Sequence, residues 1–140
     1  MLALLDPPGW ELIPDHVRAE LRCGPGNGFG DCAVPDTWRM GWPLYRPVCI
    51  TPACARHDAE YRWLAPAGRI YKEQADRRLR RNMFRIIYNA GGPRWLRRYR
   101  YGMAETYYRM VRDCGGAAFW GGKVSAIKRD NWERKTDGLS

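Results

Sequence analysis

The chain has 140 residues, of which 45% are hydrophobic and 28% are charged, and this composition predicts one globular domain over residues 1–140. The 24 Lys and Arg residues outnumber the 15 Asp and Glu residues, which gives a net charge of +9 at pH 7. No apolar run approaches the roughly 20 residues of a membrane span, and no repeat or heptad pattern is present, so integral membrane proteins, coiled coils and repeat arrays are excluded.

The first third of the chain predicts little regular structure. Its apolar start ends at Asp6, too early for the roughly 7–15 apolar residues of a secretory signal, so we expect no cleavable signal. A short helix is expected to begin at Pro14 or Asp15. Residues 23–50 are rich in Gly and Pro, which break both helix and strand, and they are predicted to form loops.

Three longer helices are predicted further along, so the fold class is mainly α. Thr51 as the N-cap and Pro52 as the first helical residue indicate a helix that runs to about Leu64. A second helix is predicted over residues 70–89 and a third over about 93–114, and both have apolar residues at a period close to 3.6. The apolar positions of the second helix are Ile70, Ala75, Leu79, Met83, Phe84, Ile86 and Ile87. Those of the third helix are Leu96, Tyr99, Met103, Tyr107, Met110 and Val111.

The C-terminal part is interpreted as an extension of a core that spans about residues 20–90. This extension, residues 93–140, begins with the third helix. Its last part, residues 117–140, is polar and contains glycines. This pattern leaves two interpretations open, a small β-hairpin and an arm.

The positive charge is concentrated between Lys72 and Arg112. This segment holds 12 basic and 3 acidic residues, a balance that matches the net charge of the whole chain. Arginine suits phosphate, because its planar guanidinium group donates two parallel hydrogen bonds. The segment therefore predicts an anionic partner, and a solvated helix face is the alternative.

The chain contains an odd number of cysteines, so at least one of them is unpaired or pairs between chains. The five are Cys23, Cys32, Cys49, Cys54 and Cys114. A structural zinc site is disfavoured, because close Cys-x-x-Cys pairs are absent and the chain has only two histidines.

Two short segments contain the residue types of a hydrolytic site. The loop Cys23–Gly28 (CGPGNG) can present backbone carbonyls to a ligand, and carbonyls combined with a carboxylate suit calcium. An ordinary turn is the alternative for this loop. His57 and Asp58 are adjacent on the first long helix, where a histidine can act as a base and a carboxylate can hold a metal ion.

Two further residues are expected to support His57. Tyr61 lies one helical turn beyond it on the same face. Asp76 follows His57 by 19 residues, and the turn between the first two long helices lets the second one fold back beside the first. A buried Asp76 needs a partner, which His57 and Tyr61 can supply. The alternatives are a salt bridge from Asp76 to a neighbouring arginine and a histidine with only a structural role.

Together these segments resemble the secreted phospholipase A2 superfamily. The calcium-loop pattern C-G-x-G appears as Cys23–Gly26, the catalytic-helix pattern C-x-x-H-D-x-x-Y appears as Cys54–Tyr61, and the supporting aspartate appears as Asp76. The residues around these motifs are most similar to the compact phospholipase A2 domains of viral capsid proteins and of some bacterial or phage relatives. The resemblance covers roughly residues 20–85 and implies two antiparallel catalytic helices with a glycine-rich calcium loop.

The resemblance implies calcium-dependent hydrolysis of the sn-2 ester of glycerophospholipids. His57 is the implied base, Asp76 fixes its tautomer, Tyr61 bonds to Asp76, and the Gly24 amide assists at the oxyanion. The implied Ca²⁺ ligands are Asp58 and the backbone carbonyls of Arg22, Gly24 and Gly26. Arg22 stands where family members usually carry an aromatic residue, and the stretch from residue 28 to residue 51 is longer than in the compact members.

The resemblance also implies a disulfide between Cys23 and Cys54. The family's second bridge would need cysteines at Ala53 and near Asn82, and both are absent. Among the other cysteines, Cys32 and Cys49 are candidates for a second disulfide, with Cys114 free, and their pairing is left open.

The expected partner is an anionic phospholipid membrane, on which the chain acts as a monomer or as a virion component without binding nucleic acid. Trp38 or Trp42 is a candidate to insert at the headgroup level. We expect a secreted or virion-associated location rather than a cytoplasmic one. One alternative is a catalytically inactive phospholipase A2-like module that uses its basic surface on a protein, a membrane or nucleic acid. Another is a plain nucleic-acid binder, in which Trp95, Tyr99 and Tyr101 stack on bases.

Overall fold

A computed structural model describes residues 1–19, 21, 37–38 and 43–121. Short elements come first, namely a 3₁₀ turn (Trp10–Leu12), helix α1 (Asp15–Arg18) and strands β1 (Thr37–Trp38) and β2 (Val48–Cys49). The longer helices are α2 (Thr51–Ala59), α3 (Arg69–Ala90) and α4 (Arg94–Cys114). A π-helical turn (Glu60–Leu64) continues α2, and residues 116–121 are also helical. The mainly α fold class is therefore confirmed.

The ends of the helices lie close to the predicted ones, with one difference in capping. The N-cap of α2 is Ile50, and Thr51 is already the first helical residue. The prediction that Thr51 is the N-cap is therefore wrong, because the helix begins one residue earlier than the Thr-Pro pattern indicates. Gly91 ends α3 with a φ of 67°, in the left-handed region that glycine adopts without strain.

Strand pairing occurs at a different place from the one considered in the sequence. β1 and β2 pair antiparallel, with Thr37 opposite Cys49 and Trp38 opposite Val48. Residues 117–121 belong to the helical segment that follows α4, so a β-hairpin beginning at residue 117 is wrong for that part. Residues 122–140 lie outside the described residues.

The main core lies where α3 packs against α4 and against α2 with β2. Its buried members are Trp38, Val48, Ile50, Ala53, Cys54, Leu79, Met83, Ile87, Ala104 and Tyr107. Trp38 is only 2% exposed, so its expected insertion into a membrane is wrong, and Trp42 lies outside the described residues. None of the helices described here is long and apolar enough to cross a membrane.

Two of the predicted apolar positions face solvent. Ile70 in the first turn of α3 is 60% exposed, and Tyr99 on α4 is 46% exposed. Next to Tyr99, Arg100 is almost fully buried, and its Nη2 donates a hydrogen bond of 2.7 Å to the carbonyl of Arg46. The guanidinium group can replace an apolar residue there because a backbone carbonyl accepts its proton.

The N-terminal segment, residues 1–6, lies along α3 and is held by two asparagines seven residues apart. Asn82 Oδ1 accepts the Leu5 amide at 2.7 Å, and Asn82 Nδ2 donates to the Leu5 carbonyl at 2.9 Å. Asn89 makes the same pair of bonds with Leu2, both of 2.8 Å. Each asparagine side chain therefore supplies the hydrogen-bond acceptor and donor that a neighbouring strand would otherwise supply to these backbone groups.

We predict that Asn82→Ala lowers the free energy of unfolding by about 1–3 kcal/mol, because it removes a fully buried side chain and leaves the partly buried amide and carbonyl of Leu5 without their partner. Urea unfolding followed by circular dichroism measures the change. Asn89→Ala is the matched control. It makes the same two bonds to the exposed residue Leu2, where water replaces them, so its loss should be below about 1 kcal/mol. Equal losses in the two variants would contradict this account.

Candidate active site

The centre of the site is the carboxylate of Asp76, which is fully buried on α3. His57 Nε2 lies 2.8 Å from its Oδ1, and the Tyr61 hydroxyl donates to the same oxygen at 2.5 Å. The ammonium group of Lys72 donates to Oδ2 at 2.8 Å. Three of the residues singled out in the sequence, His57, Tyr61 and Asp76, therefore meet in the fold. Lys72 joins them, in place of the arginine considered as an alternative partner.

The end of α2 positions the two aromatic donors. His57 lies in its last turn, and Tyr61 lies in the π-helical turn that follows. The π geometry is visible in the hydrogen bond from the Ala65 amide to the Glu60 carbonyl, which spans five residues at 3.0 Å. The ring centroids of His57 and Tyr61 are 4.1 Å apart, so both rings reach one oxygen of Asp76 from the same side.

The donors around Asp76 decide its charge. Burial alone would raise the pKa of this carboxyl, but the hydrogen bonds from His57, Lys72 and Tyr61 outweigh burial and hold the pKa below its ordinary value. Burial and the neighbouring carboxylate raise the pKa of Tyr61, so its hydroxyl keeps its proton. An ionised Asp76 can only accept hydrogen bonds, and a neutral His57 therefore carries its proton on Nε2. Its Nδ1 is left as an acceptor, and the side chain is 12% exposed.

Lys72 is the functional candidate that the motif comparison missed. It lies one helical turn before Asp76, and its Nζ also donates to the carbonyl of Arg112 on α4 at 3.1 Å. A lysine four residues before a buried acid is a recognisable signal for an ion pair on one helix face. The charge pattern did not single out Lys72, because many other basic residues follow it from Arg77 onward.

Residues after α4 pack against the site at Tyr61. Gly115 comes so close to Tyr61 that a Cβ atom there would lie 2.8 Å from the tyrosine hydroxyl oxygen. Phe119 is fully buried, and its ring packs edge-on against Tyr61 with centroids 5.2 Å apart. Gly115 and Phe119, which belong to the predicted C-terminal extension, therefore form part of the wall of the site.

Asp58 supplies one oxygen-donor group suited to calcium. Its side chain is 18% exposed, and its Oδ1 accepts a bond of 3.0 Å from Arg62 Nε one turn further on. The other predicted ligands, Arg22, Gly24 and Gly26, lie outside the described residues, as does the oxyanion role of Gly24. Within residues 1–19, 21, 37–38 and 43–121 there is no cluster of three or more His, Cys, Asp or Glu side chains that could hold a metal ion. The donor chemistry of Asp58 fits calcium provided that backbone carbonyls complete the set.

The cysteines differ in part from the expected pairing. Cys54 is disulfide-bonded, and its partner lies outside the described residues, so a bond to Cys23 remains a prediction. Cys49 and Cys114 are free, as expected for Cys114. The predicted Cys32–Cys49 disulfide is wrong, because Cys49 is exposed on β2 and its thiol donates to Thr51 Oγ1 at 3.2 Å.

Comparisons of the chain with protein-family models, with curated proteins and with solved structures give no match. The resemblance to phospholipases A2 therefore depends on the motif residues themselves and on the contacts around Asp76.

We predict that Asp76→Asn destabilises the chain near neutral pH and also flattens the pH dependence of its stability in acid. The pKa of Asp76 is lower in the folded chain than its unfolded value of 3.8. Its stabilising contribution is therefore fully present above that value and is lost as the pH falls through the folded pKa. Urea unfolding at a series of pH values measures both effects.

The matched control for this experiment is Glu73→Gln on the same helix, because the Glu73 side chain is 49% exposed. This variant should keep the acid slope of the unaltered chain. An acid slope that Asp76→Asn leaves unchanged would contradict the assignment.

Proposed function

We propose that the chain is a calcium-dependent phospholipase A2 that hydrolyses the sn-2 ester of glycerophospholipids at anionic membranes. The observation that carries this proposal is the hydrogen bond of 2.8 Å between His57 Nε2 and a buried Asp76 that also binds Tyr61. This is the arrangement that the C-x-x-H-D-x-x-Y motif and the later aspartate imply.

The chemistry assigned to His57 follows from its tautomer. Because Asp76 holds the proton on Nε2, Nδ1 can take a proton from a water molecule as that water attacks the ester carbonyl. The imidazolium ion that forms is stabilised by the carboxylate of Asp76, as in other histidine–carboxylate pairs. His57 then returns the proton to the departing alkoxide of the lysophospholipid, and the fatty acid is released.

Calcium would be held by Asp58 and by the backbone carbonyls of Arg22, Gly24 and Gly26. When bound, it supplies positive charge for the substrate phosphate and for the developing oxyanion. Arg62 competes for Asp58 only weakly. The Arg62 side chain is 41% exposed and that of Asp58 is 18% exposed, and helical pairs of this spacing contribute about 0.3–0.5 kcal/mol.

We predict that His57→Ala lowers calcium-dependent release of fatty acid from the sn-2 position by at least about 100-fold, because the base is removed. The measurement is hydrolysis of phosphatidylglycerol vesicles with a labelled sn-2 chain, with folding checked by circular dichroism. The control is His16→Ala, which removes the only other histidine, at an exposed position of α1.

Asp58→Asn extends this test to the metal. It should abolish hydrolysis and weaken calcium binding measured by calorimetry, whereas Asp15→Asn, at a fully exposed aspartate, should change neither. Turnover that survives His57→Ala or Asp58→Asn would exclude the proposed function.

The surface proposed for the membrane is on α4. Arg94, Trp95, Arg98 and Tyr99 are all exposed and lie on one side of the helix, and we call them the exposed α4 face. Neither arginine of this face has an ion-pair partner in the part of the chain that the structure describes. Amphipathic rings beside cationic side chains suit the headgroup region of an anionic bilayer.

The rest of the basic segment is partly used inside the fold. Three of its arginines form ion pairs and two bind backbone carbonyls. These contacts are Arg78 with Glu60, Arg80 with Glu105, Arg112 with Asp113, Arg85 with the Ala3 carbonyl and Arg100 with the Arg46 carbonyl. The surface available to a partner is therefore smaller than the sequence suggests.

We predict that Arg98→Gln weakens binding to phosphatidylglycerol vesicles about fivefold, since one basic side chain near an anionic surface contributes on the order of 1 kcal/mol. Vesicle sedimentation at low and high salt measures this effect, which should shrink at high salt. Arg46→Gln is the control, because it removes the same charge at an exposed position outside the Lys72–Arg112 segment. An equal loss in both variants would show that net charge, and not the exposed α4 face, governs binding.

The exposed α4 face also supports the second candidate, a catalytically inactive module with the same scaffold. An unaltered chain that binds vesicles or DNA in a salt-dependent way but hydrolyses no phospholipid would favour that candidate. Tyr101 contributes little to base stacking in either case. It is half-buried, and its ring packs edge-on against Phe84 with centroids 5.0 Å apart.

A further inference from the structure

We infer that Lys72 is a positioning residue for the hydrolytic site, which fixes the orientation of the Asp76 carboxylate and joins it to the end of α4. This inference rests on the proposed function for its catalytic part. Its structural part concerns the tautomer of His57 and can be tested whether or not the chain hydrolyses lipid.

Lys72 is held between two acceptors on different helices. Its Nζ donates to Asp76 Oδ2 at 2.8 Å and to the Arg112 carbonyl at 3.1 Å. The side chains of Lys72 and Asp76 are 11% and 1% exposed, so water screens this ion pair weakly. Because a lone lysine is strongly hydrated, burying it requires partners of this kind.

The distribution of donors over the two oxygens gives Lys72 its role. His57 and Tyr61 share Oδ1, whereas Lys72 occupies Oδ2. The torsion that rotates a carboxylate is soft, so donors on one oxygen alone leave the plane of the group free to tilt about that oxygen. A third donor on the other oxygen selects one orientation. That orientation points a full acceptor at Nε2 of His57 and keeps Nδ1 free of a proton.

The second acceptor explains how α4 contributes to the site. Arg112 lies in the last turn of α4, where backbone carbonyls have no partner within the helix and carry partial negative charge. An ammonium group is the matching donor for such a carbonyl. Three residues later Gly115 lies against Tyr61, so the end of α4 contacts both Lys72 and the tyrosine that bonds to Asp76.

The test compares Lys72→Met with Arg69→Met in the full chain. Both variants remove one positive charge from α3, but Arg69 is 91% exposed and pairs only with Glu73 among the described residues. Long-range ¹H–¹⁵N spectra of the His57 ring report which nitrogen carries the proton. Hydrolysis of phosphatidylglycerol vesicles in calcium gives kcat and KM separately.

In Lys72→Met we expect the Nε2–H tautomer of His57 to lose its dominance and kcat to fall about 10–100-fold, with KM changed less than about twofold. Lys72→Gln, which keeps a hydrogen-bond donor, should recover part of both readouts. Arg69→Met should match the unaltered chain. An unchanged tautomer in Lys72→Met would overturn the inference, and so would a rise in KM with kcat unchanged.

The test also covers an unaltered chain without activity and a Lys72→Met variant that does not fold. If the unaltered chain hydrolyses no phospholipid, the proposed function fails, and the tautomer comparison still decides the role of Lys72. If Lys72→Met does not fold, the ammonium resonance of Lys72 is measured in the unaltered chain. Slow exchange of its protons with water supports the inference, whereas exchange as fast as that of an exposed lysine overturns it.

Discussion

A buried negative charge on Asp76 is the constraint on which the rest of this structure depends. Removing a carboxylate from water costs several kcal/mol unless hydrogen bonds and an opposite charge compensate it. Here the compensation comes from the end of α2 through His57 and Tyr61 and from α3 itself through Lys72. Lys72 in turn bonds to α4. The carboxylate that bonds to His57 thus also links three helices.

The arginine-rich part of the chain serves two purposes that composition alone does not separate. Burial lowers the pKa of Arg78 and of Arg100, and both face acceptors inside the fold. Arg94 and Arg98 project into solvent beside two exposed aromatic rings. A charge pattern counts all of these side chains equally, whereas only the outward-facing ones are available to an anionic surface.

Sequence reasoning was most successful where strong local signals determine the structure. The helices α3 and α4 begin and end within about one residue of their predicted limits, because glycine and proline mark their ends. The meeting of His57 with Asp76 followed from motif spacing. The π-helical turn at Tyr61 was missed. The bond from Lys72 to the end of α4 was missed as well, since it depends on how two helices meet. The exposure of Ile70 has the same origin, because periodicity predicts a stripe but not where the partner helix ends.

The asparagine pairs that hold residues 1–6 have a consequence for the order of events during synthesis. These residues leave the ribosome before α3, because their partners on α3 follow 77 and 87 positions later. Residues 1–6 therefore have no native contacts with α3 until that helix has been translated. Closing such a long loop carries an entropic cost, so docking of this segment belongs to a late stage of folding. A nascent chain stalled before residue 82 would leave residues 1–6 open to proteases and chaperones.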